Sequence, residues 1–235
     1  GKVFLCIREE GRNMIGIIAA MDIEVDAIKA VSTITATKTV AGCQMYLGTL
    51  GDKEIVIGKS GVGKSHAAMA TTILCMSYPI DKIINVGTAG GLKEDENVLD
   101  IVISDQVVQA DYDTSPLDGP EGIGLVYSVD PEMVKASIQA SQENHIPYHV
   151  GTIASQDLFM SREEDYQKLL KHFPASICSE MEAGAVAQVC TKFEIPFVIL
   201  RGLSDVVHHS GNEMEFSEYA SKASQQSAKM IQALL

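Results

Sequence analysis

The chain has 235 residues, of which 46% are hydrophobic, and a formal net charge of −13. This length and composition can bury one sizeable core and favour a single large α/β domain over two small ones. The acidic balance argues against a nucleic-acid or anionic-membrane partner, because phosphate groups need clustered cations. We therefore expect a small, buried ligand.

The remaining composition predicts a cytoplasmic protein. The five cysteines form no CxxC pair, so neither a zinc site nor a disulfide framework is predicted. No apolar run approaches the roughly 20 residues that a membrane helix needs, and a secretion signal is not recognisable. Residues 1–13 precede the first strand signal, and we interpret them as an N-terminal extension to a domain that spans 14–235.

The first half of the chain predicts strands followed by helices. The apolar run MIGIIAA (14–20) predicts a strand, and the apolar spacing up to Ala30 predicts a helix after it. Short alternating runs over 33–58 are typical of antiparallel strands joined by hairpins. A helix over 62–77 and a buried strand over 82–86 follow, and the segment GTAGG (87–91) is expected to be a turn.

The second half continues the alternation. The stretch DYDTSPLDGPEGIG (111–124), after a strand over 100–109, is expected to be a mobile loop over a site. The later predicted elements are a helix over 131–144, a strand over 148–155, helices over 162–172 and 182–193, a strand over 196–201 and a helix from 213. Together these elements predict a single α/β domain with a mixed central sheet flanked by helices, and ligands at the strand carboxyl ends.

The segment GKSGVGKS (58–65) satisfies the triphosphate-loop pattern G-x-x-x-x-G-K-[ST] with Lys64 and Ser65 at its end. Alone, it would predict an ATPase or GTPase. That chemistry also needs an acidic metal-binding residue after a neighbouring apolar strand, and the next strand, KIINVG (82–87), ends without one. We favour a glycine turn opening a helix whose N-terminus faces a ligand.

Four segments together resemble the methylthioadenosine/S-adenosylhomocysteine nucleosidases of the nucleoside phosphorylase superfamily. They are GIIAAMDIEVD (16–26), KSGVGKSHAA with INVGTAGG (59–91), SEMEAGAVAQVC (179–190) and VILRGLSDV (198–206). The resemblance runs from Met14 to the C-terminus, and its pairing of Met-Glu with Ser-Asp is specific. In this family the GKSGVGK segment is a structural turn, which explains the coincidence with a triphosphate loop.

Cleavage of an adenine nucleoside needs a proton for the purine N7, stabilisation of an oxocarbenium-like sugar and a positioned water. The resemblance assigns one carboxylate to each need. Asp205 resembles the general acid, Glu182 resembles the glutamate that binds the ribose 2′-hydroxyl and faces the developing cation, and Glu24 resembles the carboxylate that activates the water. We expect partial burial to raise the pKa of Asp205 so that it can donate at neutral pH.

Each carboxylate also has a structural interpretation. Glu24 could be a first-turn carboxylate favoured by the helix dipole, Asp205 a helix N-cap, and Glu182 a solvated first-turn acid. Their joint position in the matching segments favours catalysis for all three. His208 and His209 are interpreted as loop surface, and neither a metal nor a cofactor is predicted.

The resemblance also implies substrate-binding residues. Phe159 and Met160 resemble the adenine platform, although they could be two ordinary core residues. The other implied contacts are Ser204, which orients Asp205; Met181, which packs the sugar; Thr88, Arg201 and Glu180 beside the water; Met21 and Phe216 in the ribose and 5′ pocket; and Thr114 and Leu117 at the base.

Water is the expected nucleophile. Superfamily phosphorylases hold phosphate with arginines, and this chain places Asn85 before the Val-Gly-Thr segment. The resemblance therefore implies a homodimeric hydrolase of 5′-methylthioadenosine, S-adenosylhomocysteine and 5′-deoxyadenosine in methionine salvage. The alternatives are a purine nucleoside phosphorylase, a P-loop NTPase and a nucleoside-binding module without turnover.

Overall fold

The computed structural model describes residues 13–207 and 212–235, with side chains of the last segment from 216 onwards. His208, His209 and residues 1–12 lie outside the described residues. The strands are β1 (Met14–Ala19), β2 (Thr33–Val40), β3 (Cys43–Leu50), β4 (Lys53–Lys59), β5 (Ile80–Gly91), β6 (Ile101–Asp113), β7 (Ile123–Ser128), β8 (Tyr148–Ser155), β9 (Ser176–Glu180) and β10 (Phe197–Val206). The helices are α1 (Asp22–Lys29), α2 (Lys64–Ser77), α3 (Ser115–Asp118), α4 (Pro131–Glu143), α5 (Glu163–His172), α6 (Ala183–Phe193) and α7 (Asn212–Leu234), with a 3-10 turn at Gly119–Gly122.

The strands form one mixed sheet in the order β10-β6-β8-β9-β5-β1-β4-β3-β2, with β7 beside β6. Strands β4, β1, β5 and β10 are parallel neighbours, whereas β2, β3 and β4 form the antiparallel meander that the sequence predicts. Because β10 pairs with both β5 and β6, five of the ten strands close into a ring, in the order β10-β6-β8-β9-β5. The predicted fold class is confirmed.

The centre of the sheet is buried on both faces. Every residue of β10 is buried, as are Ile15 to Ala19 of β1, which is the pattern of parallel strands covered by helices on both sides. Helices α2 and α6 pack together, and α7 packs against β10. None of the described helices combines the length and the hydropathy of a membrane span.

The sheet extends further than predicted at the edge that carries the site. GTAGG is the end of β5 and not a turn, because it pairs with β10 from Arg201 opposite Gly87 to Asp205 opposite Gly90. Asp205 therefore lies within β10, although the sequence predicted that this strand ends at residue 201. The stretch 111–124 is also not a single loop, since it holds the end of β6, α3, a 3-10 turn and the start of β7.

Candidate active site

A cavity of about 340 Å³ opens at the carboxyl ends of β1, β5 and β10, beside the N-terminus of α6. Parallel strands bring these ends to one edge of the sheet, where open α/β sheets bind ligands. Every predicted site residue except Thr114 and Leu117 lines this cavity. The structure thus brings together side chains from segments as far apart in sequence as Glu24 and Asp205.

Glu24 lies in the first turn of α1 and is held by three backbone amides. Its Oε1 accepts hydrogen bonds from the N–H groups of Ala20 at 3.1 Å and Met21 at 2.9 Å, and its Oε2 accepts one from Thr88 at 2.9 Å. Burial raises the pKa of Glu24, and the charge of Arg201 and these three amides oppose that rise. The carboxyl is thus fixed in place with a raised proton affinity.

Arg201 lies buried at the centre of the carboxylates. Its Nη2 is 2.7 Å from Glu180 Oε2 and donates to Asn85 Oδ1 at 2.6 Å, while Nη1 donates to the Thr88 carbonyl at 3.0 Å and lies 3.2 Å from Glu182 Oε1. Burial alone would lower the pKa of Arg201, but the charges of the glutamates around it raise it. The guanidinium is therefore a permanent cation whose terminal nitrogens are used by the protein itself.

Glu182 occupies the N-cap position of α6 and turns its carboxylate into the cavity. Its Oε2 accepts a hydrogen bond of 2.9 Å from the Gly63 N–H, which belongs to the turn before α2. Burial raises the pKa of Glu182 to about 7, Arg201 opposes the rise and Glu180 adds to it. Burial thus increases the proton affinity of this carboxylate, and Arg201 favours its ionised form.

Glu180, at the end of β9, has a mainly structural set of contacts. Its Oε2 accepts from the N–H groups of Glu182 and Ala183, both at 2.8 Å, and so caps the start of α6. The Ser155 hydroxyl donates to the other oxygen and accepts from the Gly184 N–H at 2.7 Å. Sequence reasoning missed Ser155, because a serine at the end of a predicted strand carries no signal of this role.

Asp205 lies near the end of β10, opposite the glycines of β5. The Ser204 hydroxyl donates to Asp205 Oδ1 at 2.9 Å, which is the orienting contact that the resemblance implies. Gly90 leaves room for the carboxyl, since a Cβ at that position would lie 2.9 Å from Asp205 Oδ2. Asp205 is buried, with its side chain at the cavity wall.

The opposite wall of the cavity is apolar and aromatic. Phe159 and Phe216 meet edge to face, with ring centroids 5.4 Å apart. The Tyr166 hydroxyl donates to the Met160 carbonyl at 2.9 Å and fixes that segment of backbone. This wall offers aromatic and apolar surface of the kind that packs against a purine base.

Thr114 and Leu117 do not line this cavity within the described chain, and their assignment to the base pocket stays a prediction. Leu117 is 88% exposed. The Thr114 hydroxyl donates to Asp118 at 2.6 Å, and the Thr114 N–H donates to the Gly122 carbonyl. The segment is closed on itself by these local bonds, which direct the chain into β7 instead of over the cavity.

The glycine turn before α2 faces carboxylates. The Gly63 N–H donates to Glu182, and the Lys64 N–H donates to Asp157 Oδ1 at 2.7 Å. Lys64 Nζ lies 2.6 Å from Asp111 Oδ1. A triphosphate loop needs these amides and this ammonium for phosphate oxygens, and here protein carboxylates take all three.

The chain matches known proteins over nearly its whole length. A family model described as the phosphorylase superfamily matches residues 14–235. A 5′-methylthioadenosine/S-adenosylhomocysteine nucleosidase of Halalkalibacterium halodurans is 39% identical over 225 residues, which cover 94% of this chain and 97% of that relative. The chain belongs to this nucleosidase family.

Solved structures of related enzymes share the fold of this chain. The nucleosidase of Neisseria meningitidis in complex with methylthio-immucillin-A has a TM-score of 0.89 at 30% identity, covering 94% of this chain and 98% of that one. A futalosine hydrolase of Helicobacter pylori has a TM-score of 0.88 at 30% identity, covering 94% and 97%. The recognition of the nucleosidase family from its four motif segments is thereby confirmed.

Proposed function

We propose that this nucleosidase-family chain hydrolyses the N-glycosidic bond of 5′-methylthioadenosine and S-adenosylhomocysteine, and also of 5′-deoxyadenosine, releasing adenine and the 5-substituted ribose. The observation that carries the proposal is the convergence of Asp205, Glu182 and Glu24 on one cavity with an aromatic wall. The names of the similar proteins support the same substrates.

Departure of the base is assigned to Asp205. The carboxyl donates its proton to N7 of adenine while the bond between C1′ and N9 breaks, and the bonding electron pair leaves with the base. Ser204, bonded to Oδ1, keeps the carboxyl in one orientation for this transfer. A positioned general acid of this kind contributes roughly 10² to 10⁴ in rate.

Stabilisation of the sugar is assigned to Glu182. Its ionised carboxylate accepts the ribose 2′-hydroxyl and faces the positive charge that develops at C1′. The Gly63 N–H and Arg201 hold this carboxylate in place, so little reorganisation is needed as the charge forms. Met181, which also lines the cavity, packs against the sugar.

Attack by water is assigned to Glu24. The water oxygen bonds to C1′ and its proton passes to the Glu24 carboxylate, whose proton affinity burial increases. Arg201 and Thr88, which also line the cavity, are assigned to orient the water beside Glu24. Protons then exchange with solvent to restore both carboxyls.

Hydrolysis is favoured over phosphorolysis by the charge at this end of the cavity. Arg201 is the only arginine among the described residues that lines it, and Glu180 and Glu182 already neutralise its guanidinium. A phosphate dianion would also have to approach Glu24 directly. Like charges at such short range repel strongly in a buried site, so water is the better nucleophile.

The proposal extends to a cytoplasmic homodimer that acts in methionine salvage. Apolar side chains at the cavity mouth, Val62, Leu158 and Phe159, are between 41% and 45% exposed. A partner subunit over them would complete the pocket for the 5′ substituent, as the family resemblance implies. Sedimentation of the purified chain at several concentrations tests the dimer.

The decisive experiment measures adenine release from both thio-nucleosides in phosphate-free buffer. We expect turnover by the wild type and a loss of at least about 10²-fold in kcat for Asp205→Asn, because the amide cannot donate the proton. A far-UV circular dichroism spectrum of Asp205→Asn that matches wild type controls for folding. Turnover that requires added phosphate would overturn hydrolysis in favour of a phosphorylase.

A further inference from the structure

The triphosphate-like segment has a second use in this fold. Lys64, Asp111 and Asp157 form a closed ring of contacts, which we call the clasp. The Lys64 N–H donates to Asp157 Oδ1 at 2.7 Å, the Asp157 N–H donates to Asp111 Oδ2 at 2.9 Å, and Asp111 Oδ1 lies 2.6 Å from Lys64 Nζ. The clasp thus ties the start of α2 to the end of β6 and to the segment after β8.

The clasp lies next to two parts of the cavity, the part with the carboxylate of Glu182 and the part with the aromatic wall. On one side, Lys64 follows Gly63, whose N–H donates to the sugar-facing carboxylate of Glu182. On the other side, Asp157 comes two residues before Phe159, which forms the aromatic wall. One ring of contacts therefore connects the segment that holds the sugar carboxylate to the segment that holds the base.

The turn before α2 needs such an external support. Gly63 is the N-cap residue of α2 with φ of 103°, and it has no side chain to cap the helix. Carboxylates from two other elements accept the first two amides instead, Glu182 at Gly63 and Asp157 at Lys64. Since these amides are adjacent, a shift of Lys64 would also redirect the Gly63 N–H away from Glu182.

An isolated surface ion pair contributes little to stability. The clasp differs because its three residues form a connected ring of contacts. The Lys64 side chain is only 17% exposed, and its Nζ also donates to Gln109 Oε1 at 3.1 Å. Loss of one member of a hydrogen-bonded network loosens the others. Displacements of about 1 Å in a positioning group can cost on the order of 10²-fold in rate.

We propose that Asp157 is a positioning residue, which acts through the clasp to align Glu182 with the sugar and Phe159 with the base. This inference rests on the proposed nucleosidase function. It assigns Lys64 to the active-site scaffold and not to phosphate, which accounts for the triphosphate-like motif.

The test is steady-state hydrolysis of 5′-methylthioadenosine by the full chain. We expect Asp157→Ala to lower kcat/KM by about tenfold or more, with KM raised through the base and kcat lowered through the sugar. Asp157→Asn keeps the acceptor for the Lys64 N–H, and we expect it to stay within about threefold of wild type. Lys64→Met keeps the backbone donor but loses the ammonium, so its effect should be intermediate.

Coupling to Glu182 separates positioning from general loosening. If Asp157 acts through Glu182, adding Asp157→Ala to Glu182→Gln should lower kcat by no more than about threefold further, since the carboxylate to be positioned is already lost. Arg162→Met and Asp118→Ala remove exposed pairs outside the cavity and should leave kcat/KM unchanged.

Several outcomes would overturn the inference. Three results would overturn it and leave the proposed function intact: a wild-type kcat/KM in Asp157→Ala, full additivity of Asp157→Ala with Glu182→Gln, or an Asp157→Asn variant as impaired as Asp157→Ala. A wild type that releases no adenine would instead overturn the proposed function, and this inference with it. If Asp157→Ala does not fold, the comparison of Lys64→Met with Arg162→Met decides the question.

Discussion

Gly87 of β5 lies directly against the carboxyl group of Glu24, and a Cβ at this position would overlap Glu24 Oε2. Arg201 Nη1 would lie 3.2 Å from the same Cβ. Gly87 has φ of 146°, which also disfavours other residues. The absence of a side chain at position 87 therefore allows Glu24 to reach the amide of Thr88.

We predict that Gly87→Ala displaces Glu24 and lowers kcat by at least about tenfold, because the attacking water loses its base. Gly42→Ala is the matched control, since Gly42 also has a positive φ but meets no atom within 4 Å. Gly42→Ala should lose roughly 1 kcal/mol of stability from backbone strain, and Gly87→Ala should lose more because its Cβ also overlaps Glu24. Steady-state kinetics and urea unfolding of both variants provide the measurement. A wild-type kcat in Gly87→Ala would contradict the prediction.

Ser155 stabilises the start of α6 through hydrogen bonds. Its hydroxyl donates to Glu180 and accepts from the Gly184 N–H, so Ser155→Ala leaves two buried polar groups without this partner. We predict a loss of about 2–3 kcal/mol in the free energy of unfolding. Ser137→Ala provides the comparison, because this equally buried hydroxyl donates only to the helical Met133 carbonyl. Equal losses in urea titrations of the two variants would count against the assigned role.

The fold class could be predicted because its signals are local, and the three central carboxylates could be predicted because the segments around them resemble the nucleosidase family. Apolar runs mark β1 and β10, and the Met-Glu and Ser-Asp motifs mark Glu182 and Asp205. The extension of β5 through GTAGG could not be predicted, since its pairing with β10 overrides the turn propensity of glycine. Strand β9, which carries Glu180, was not predicted, because its five residues are too few to show a clear alternation of apolar and polar side chains.

The contacts that complete the site depend on tertiary structure. For example, resemblance could not show that residues 114–122 close on themselves through local hydrogen bonds. Likewise, the Lys64 side chain meets Asp111, which lies 47 residues further along the chain. Local sequence patterns carry no information about such partners.

Glu182 makes stability depend on pH. Burial raises its pKa from the ordinary value of 4.5 to about 7, so the folded state holds the proton more tightly than the unfolded state does. The stabilisation from this proton is fully present below about pH 4.5 and is lost as the pH rises through about 7. We predict that the free energy of unfolding of Glu182→Gln changes less than that of wild type between about pH 5 and pH 8. Exposed Glu132→Gln on α4 should keep the wild-type slope, and an unchanged slope in Glu182→Gln would refute the assignment.

Phe159 is 43% exposed beside the cavity, although an aromatic ring of this size is normally more buried. Its edge contact with Phe216 holds the ring in place, and stacking against adenine would cover its free face. We predict that Phe159→Ala weakens adenine binding by about tenfold, which corresponds to the roughly 1 kcal/mol of an aromatic pair plus lost apolar burial. Val126→Ala removes a similarly exposed apolar side chain from β7, outside the cavity, and should leave adenine affinity unchanged. Calorimetric titration of adenine is the measurement: a selective loss of affinity in Phe159→Ala would support its role as the platform for the base, whereas equal affinity in Phe159→Ala and wild type would contradict that role.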